Sequence, residues 1–353
     1  MINQSFKARV SLLIVGLVGA NLLASCSGAT NTATDATAEG DTATAETGEA
    51  CAPELAALDF GIISTESQEN LKSLWEPFLD VMEAEIGRTV NGFYATDYAG
   101  VIEAMGANKV QLAWYGGKSY IEAAARSNAE AFAQTVNADG TKGYYAYLIT
   151  NKENPIVNEI DLEAGNGDEY VVENAADLTF AFNDPNSTSG FLVPTYYVFA
   201  QKGVDPNQIF SELIFAGSHE ATAQAVAENQ VDVATNNSES LTRLGESDPE
   251  ALDKIQVIWT SPIIPSDPLA YRNDLPDCLK EEIKGFFLNM KDETVLEPLG
   301  WSGFDPAGDE DWNTIRELEI AKTILEVQND QTLSEADKQQ RLDELNQQLE
   351  AVK

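Results

Sequence analysis

From Leu58 onward, short apolar runs alternate with amphipathic stretches, and this alternation restricts the chain to α/β architectures more tightly than any other feature does. Residues 58–64 read as a strand, 68–86 as a helix, 89–95 as a strand, 98–107 as a helix and 110–115 as a strand. A second block repeats the rhythm, with strands at 146–149 and 178–182, a helix at 189–202, a strand at 214–215, a helix at 220–229 and a strand at 231–234. Strand-like runs at 255–260 and 267–271 then lead into a helix expected over 277–290, opened by Pro276 and Asp277. Two α/β lobes fit this order. The tail differs: 313–327 and 334–352 read as two packing helices, the second opened by Ser334 with Asp337 three residues on. Residues 163–168 read as a surface loop.

The beginning of the chain carries an address. Lys7 and Arg9 precede an apolar run over 10–23, and the tetrad Leu23-Ala24-Ser25-Cys26 resembles the lipobox of bacterial lipoproteins. On this reading 1–25 is a signal peptide and Cys26 is the lipidated first residue. Residues 26–52, mostly Ala, Thr, Gly, Ser, Asp and Glu, form a tether too polar to order itself. The protein is then expected on an extracytoplasmic face, anchored by lipid alone. Of three cysteines, Cys26 goes to lipid, which leaves Cys51 and Cys278 in an oxidising compartment. They are either a disulfide joining the start of the folded body to a later helix, or two buried thiols.

Arithmetic removes several function classes. With 21 Lys and Arg against 58 Asp and Glu, the net charge is -37, which leaves no basic stripe for nucleic acid. One histidine and three cysteines cannot build a Cys/His zinc cluster, no EF-hand spacing occurs, and no cofactor is expected.

Chemistry-bearing residues collect between strands and helices. In Asp184-Pro185-Asn186-Ser187-Thr188-Ser189-Gly190-Phe191, three hydroxyls stand at a helix start, where free backbone amides and the helix dipole favour an anion. They equally suit ordinary helix caps. His219, the sole histidine, again falls between a strand and a helix, where it could donate to a phosphoryl-type oxygen; such an anion would favour its protonated form. Glu239 and Asp267 occupy strand-end positions, although most acids in so acidic a chain are merely surface. Tyr98, Tyr144 and Tyr115 lie at similar turns, where packing is the alternative role. No basic side chain other than His219 is expected in such a site.

Five strings carry a resemblance: Phe60-Gly61-Ile62-Ile63-Ser64-Thr65-Glu66-Ser67, Asp97-Tyr98-Ala99-Gly100, Ala113-Trp114-Tyr115-Gly116, Asp184 through Pro194, and Val231 through Asn237. Together, and in this order, they resemble the periplasmic phosphonate-binding proteins of ABC importers. The resemblance implies a type II, two-lobed solute receptor that closes on its ligand and delivers it to a permease driven by an ATPase. It further implies that Ser187, Thr188, Ser189 and His219 hold the phosphonate group, and that Tyr98, Tyr144, Glu239 and Asp267 surround the ammonium of 2-aminoethylphosphonate. The expected organisation is lobe one at 53–149 and 262–312, lobe two at 150–261, hinges near 149–152 and 260–265, and C-terminal helices over 313–353. The rival readings are a receptor for a simpler oxyanion, such as phosphate, phosphite or methylphosphonate, and an exported hydrolase using Ser187 or Ser189 with His219 as base.

Overall fold

The computed structural model of the protein describes residues 51–353. The signal peptide at 1–25, Cys26 and nearly all of the tether at 26–52 lie outside the described residues.

Strand β1 (Ala57–Ile62) seeds the first sheet because Leu58, Phe60 and Ile62 bury one face at period two. Gly61 lets the helix Tyr98–Gly106 lie close over it, since a Cβ there would stand 2.5 Å from Val101 Cγ1. β2 (Thr89–Tyr94), β3 (Leu112–Trp114) and β4 (Ala129–Asn137) join the same sheet. The chain then crosses to a second sheet for β5 (Ala146–Asn151), β6 (Thr179–Phe182), β7 (Glu212–Phe215), β8 (Val233–Asn237) and β9 (Ile255–Thr260). It returns for β10 (Pro268–Arg272) and β11 (Trp301–Pro306). The orders are β11-β4-β10-β3-β1-β2 and β7-β6-β8-β5-β9, with parallel pairs around β1 and β6 and antiparallel pairs elsewhere. Two mixed sheets with a discontinuous first lobe match the α/β expectation.

The first crossing corrects the expected boundary. Ile149 pairs with Ala234 and Val257 inside the second sheet, so the chain changes lobes between Asn137 and Ala146 rather than at 149–152. The return lies between Thr260 and Pro268, overlapping the expected segment. The two crossings run side by side: Tyr144 N donates to Ile264 O at 3.0 Å and Ile264 N to Tyr144 O at 2.8 Å.

An aromatic-rich core fills the first lobe, where Trp75, Phe78 and Phe287 meet edge to face or tilted around Phe60. The second sheet is covered on both faces by separate apolar clusters. Cys51 and Cys278 are bonded, with Cα atoms 5.9 Å apart, which ties the start of the body to the helix Asp277–Asn289. Arg88 closes that corner by donating to Ala52 O at 3.0 Å and Leu55 O at 2.7 Å.

The segment expected as one regular helix over 189–202 is wound more widely, as π-helical turns at Thr188–Leu192 and Thr195–Phe199 followed by a tight turn at Ala200–Lys202. Pro194 sits between the first two and supplies no amide hydrogen, so regular bonding cannot run through it. At the C-terminus, the helix Asn313–Asn329 lies against both the helix Gly117–Arg126 of lobe one and the wide turns of lobe two. The last helix, Glu335–Val352, buries no residue and lies against its predecessor. Among the described residues no helix is long and apolar enough to cross a membrane, and no group of His, Cys, Asp and Glu is arranged to hold a metal.

Candidate functional site

The ends of β1, β3, β6, β7 and β8 point into one crevice, the usual ligand position in α/β sheets. Lobe one contributes Thr65, Tyr98, Trp114, Gly116 and Asp267, the last just ahead of β10. Lobe two contributes Ser187, Thr188, Ser189, His219, Asn237, Glu239 and Arg243, and the first crossing contributes Tyr144. All eight residues expected to hold ligand therefore line a single chamber. Tyr115 does not: it is buried behind β3, with its hydroxyl 3.5 Å from Val101 O and Met105 Sδ.

Local sequence fixes the hydroxyl-rich corner. Ser187 caps the turn that follows it, its Oγ accepting from Gly190 N at 2.9 Å. Gly190 is required there because a Cβ would stand 2.4 Å from Asn183 Cβ. Asn237 likewise caps the helix Ser238–Ser247, with Oδ1 accepting from Ser240 N at 2.6 Å. Its amide nitrogen is thereby aimed at the chamber, donating to Ser189 Oγ and to His219 Nε2, both at 3.1 Å.

His219 is buried, and its ring is held neutral: burial foremost, and then the positive charge of Arg243, push its pKa down to about 3. The expectation that a bound phosphoryl anion would favour the protonated ring concerns the occupied chamber; the protein's own groups favour the neutral ring. With Nε2 accepting from Asn237, the proton sits on Nδ1, which has no partner. Ser189 Oγ lies 3.3 Å from Nε2, yet without an acid on Nδ1 this pair lacks the third member of a catalytic triad.

The acids behave differently from surface carboxylates. Asp267 is buried, and Oδ1 has no hydrogen-bond partner. Desolvation raises its pKa well above the usual carboxylate range, and the nearby Glu239 raises it further. Glu239, partly buried, is also raised, mainly by desolvation. Neither forms an ion pair among the described residues. The phenols of Tyr98 and Tyr144 are pushed up by burial and by carboxylates, Asp184 and Asp267 for Tyr98, Asp267 and Glu239 for Tyr144. Gly116 keeps this corner open, since a Cβ would stand 3.2 Å from Thr188 Oγ1 and 3.8 Å from Asp267 Oδ1.

Sequence reasoning missed Arg243. Among the described residues it is the one guanidinium lining the chamber, which corrects the expectation of no basic side chain other than His219; it sits one helical turn after Glu239 and pairs with Glu66 of the other lobe, Nη2 to Oε1 at 2.7 Å. The i,i+4 spacing of Glu239 and Arg243 was the available signal. Asn237, Trp114 and Thr65 were also not singled out, although all three lie in the quoted strings.

The lobes are closed on each other. Lys118 N donates to Thr188 Oγ1 at 2.9 Å, Tyr98 N to Asp184 Oδ2 at 3.3 Å, and His219 N to Thr65 O at 3.0 Å. The chamber between them is small and largely filled by its own side chains. Three of its polar atoms remain buried without partners, namely Trp114 Nε1, His219 Nδ1 and Asp267 Oδ1, so the chamber offers two donors and an acceptor to an occupant.

Comparison with known proteins agrees with this arrangement. Residues 60–312 match the family described as "ABC transporter, phosphonate, periplasmic substrate-binding protein". The chain is 50% identical over 270 residues to the phosphonates-binding periplasmic protein of Escherichia coli (strain K12), covering 75% of this chain and 77% of that one. A binding-protein component of an ABC phosphonate transporter from Pseudomonas aeruginosa superposes with a TM-score of 0.79 at 45% identity, covering 84% of this chain and 96% of that one. A Prochlorococcus marinus protein crystallised with methylphosphonate shares the fold, with a TM-score of 0.66 at 22% identity over 74% of this chain and 97% of that one. The family and its two more similar members are substrate-binding proteins of ABC transporters, and the hydrolase reading falls with them: the protein is no enzyme. By its family it works outside the cytoplasm with an ABC transporter. The chain belongs to the phosphonate-binding periplasmic substrate-binding proteins of ABC transporters.

Proposed function

We propose that this receptor captures a zwitterionic aminophosphonate, most specifically 2-aminoethylphosphonate. Ser187, Thr188, Ser189 and His219 hold the phosphonate oxygens, and Tyr98, Tyr144, Glu239 and Asp267 surround the ammonium. The observation that carries the reading is the pair Glu239 and Asp267, two carboxylates in one chamber without an ion-pair partner. Burying such charge is costly; Arg243 in the same chamber offsets it only in part because it is paired with Glu66, and the ligand's ammonium supplies the missing partner. The phosphonate end meets hydroxyls, first-turn amides and the His219 imidazole, all of which donate hydrogen bonds to it. Simple oxyanions would leave the carboxylates unpaired and so bind weakly.

Binding proceeds by closure. Tyr144 and Ile264 mark the two crossings about which the lobes swing, and closure brings Asp267 and Glu239 into the same enclosure. The closed form is the one presented to the permease, so ligand shifts a population. Anchorage through a lipid on Cys26, with 26–52 as tether, is part of the same proposal and rests on the sequence alone.

Thermal unfolding tests the ligand assignment. A ligand present at about 100 times its dissociation constant adds roughly 2.7 kcal/mol of stability. 2-Aminoethylphosphonate is expected to raise the melting temperature at concentrations where methylphosphonate leaves it unmoved. Equal shifts from both would overturn the zwitterion reading.

A further inference from the structure

Arg243 borders two spaces. One is the ligand chamber; the other is an outer cleft of about 480 Å³ lined by Glu66, Asn70 and Leu74 of lobe one and by Glu220, Gln224 and Asp248 of lobe two. Between them stands the pair Glu66–Arg243. Arg243 Nη2 lies 2.7 Å from Glu66 Oε1, and Nε donates to the same oxygen at 2.8 Å. The two side chains are only 13% and 10% exposed, so the pair is screened little by salt.

The pair joins different lobes. Glu66 follows β1, and Arg243 rides the helix Ser238–Ser247 that follows β8. Around it the loop after β1 and the start of the helix Gln68–Ile86 are stitched to lobe two by further contacts: Ser67 N donates to Glu220 Oε2 at 2.7 Å, Asn70 Nδ2 to Glu220 Oε1 at 3.1 Å, and Glu220 N to Thr65 O at 3.2 Å. The amide and carbonyl contacts are ordinary seam bonds; Glu66–Arg243 is the ion pair within it.

We propose that Glu66–Arg243 is a latch and partition, made only on closure, that separates the chamber from the outer cleft and governs how fast ligand escapes. The proposal rests on the reading of this molecule as a receptor that closes on its ligand. Opening the lobes parts Glu66 from Arg243 and joins the two spaces, which makes the outer cleft the route of entry and exit. Breaking a desolvated charge pair acts mainly on dissociation, because the partner left behind stays buried and unpaired.

The test uses Glu66→Gln, which keeps shape and hydrogen bonding while removing the charge. Dissociation of 2-aminoethylphosphonate, and of methylphosphonate where it binds, is followed by stopped-flow fluorescence. The expected result is release about tenfold faster for each bound probe alike, with association changed less than threefold. Arg243→Lys should fall between wild type and Glu66→Gln, since a point charge cannot reproduce the two-nitrogen contact. Small-angle scattering of the ligand-free variant should show a larger radius of gyration than wild type, a readout that needs no ligand. Unchanged release with an unchanged radius would overturn the latch. A latch that works while methylphosphonate outcompetes 2-aminoethylphosphonate would instead overturn the ligand assignment, so the two failures are distinguishable.

Discussion

Burial, and then the Glu239 carboxylate carried by the other lobe, raise the proton affinity of Asp267. Closing the receptor without ligand therefore brings together two like charges in a desolvated space, which favours the protonated form of Asp267. An arriving ammonium reverses this. It pairs with the carboxylates and lowers the Asp267 pKa.

Proton release on binding follows. In the closed form, burial and Glu239 raise Asp267 above the ordinary carboxylate range and the ligand's ammonium brings it back down, so the affinity of the closed form should rise with pH across that window. Calorimetry in buffers of different ionisation enthalpy measures the protons directly. Asp267→Asn should abolish the release, and a wild type that takes up protons on binding would contradict the account.

Removing the acids should separate ligands by charge. Glu239→Gln with Asp267→Asn is expected to weaken 2-aminoethylphosphonate by about 2–4 kcal/mol, the usual cost of truncating a buried charge pair. Methylphosphonate should be unaffected or improved. Equilibrium titration of the double variant decides, and a uniform loss for both ligands would place the residues in a structural role.

How much of this was legible in the sequence depends on the residue. β1 and the helix Gln68–Ile86 were plain because their apolar spacing is strong. β4 went unread because Ala129, Ala131 and Ala133 carry little strand preference. β11, an edge strand with Gly303 and Pro306, has the composition of a turn. Within the chamber, hydroxyls, tyrosines, the histidine and both acids were found at strand ends. Arg243 was not, because its place in the site depends on closure against Glu66, 177 residues earlier in the chain. The first hinge was placed late for a similar reason: Ala146–Ile149 is apolar in either lobe, and only pairing with β8 and β9 assigns it.

His219 makes the fold sensitive to acid. In the unfolded chain it titrates near 6.5, whereas the folded site holds it down to about 3. Between those values the unfolded state binds the extra proton, so the contribution is complete above 6.5 and is lost as pH falls toward 3. His219→Gln should flatten the decline in melting temperature over this window. Curves for variant and wild type that run parallel would argue against a buried neutral ring.

The Cys51–Cys278 bond closes a loop with a sequence separation of 227 and lies away from the chamber. Replacing both by serine is expected to lower stability by about 2–5 kcal/mol while leaving ligand affinity within about twofold. Denaturant unfolding and titration on the same preparation would check both halves; a large loss of affinity would mean that the bond shapes the site.

The most direct test of the central claim is isothermal titration of the protein with 2-aminoethylphosphonate, methylphosphonate and phosphate in parallel. The account predicts tight binding of the aminophosphonate and binding at least about 100-fold weaker for the other two, because only the first supplies a partner for Glu239 and Asp267. Equal or tighter binding of methylphosphonate or phosphate would contradict it and would remove the ammonium from the chamber those two carboxylates line.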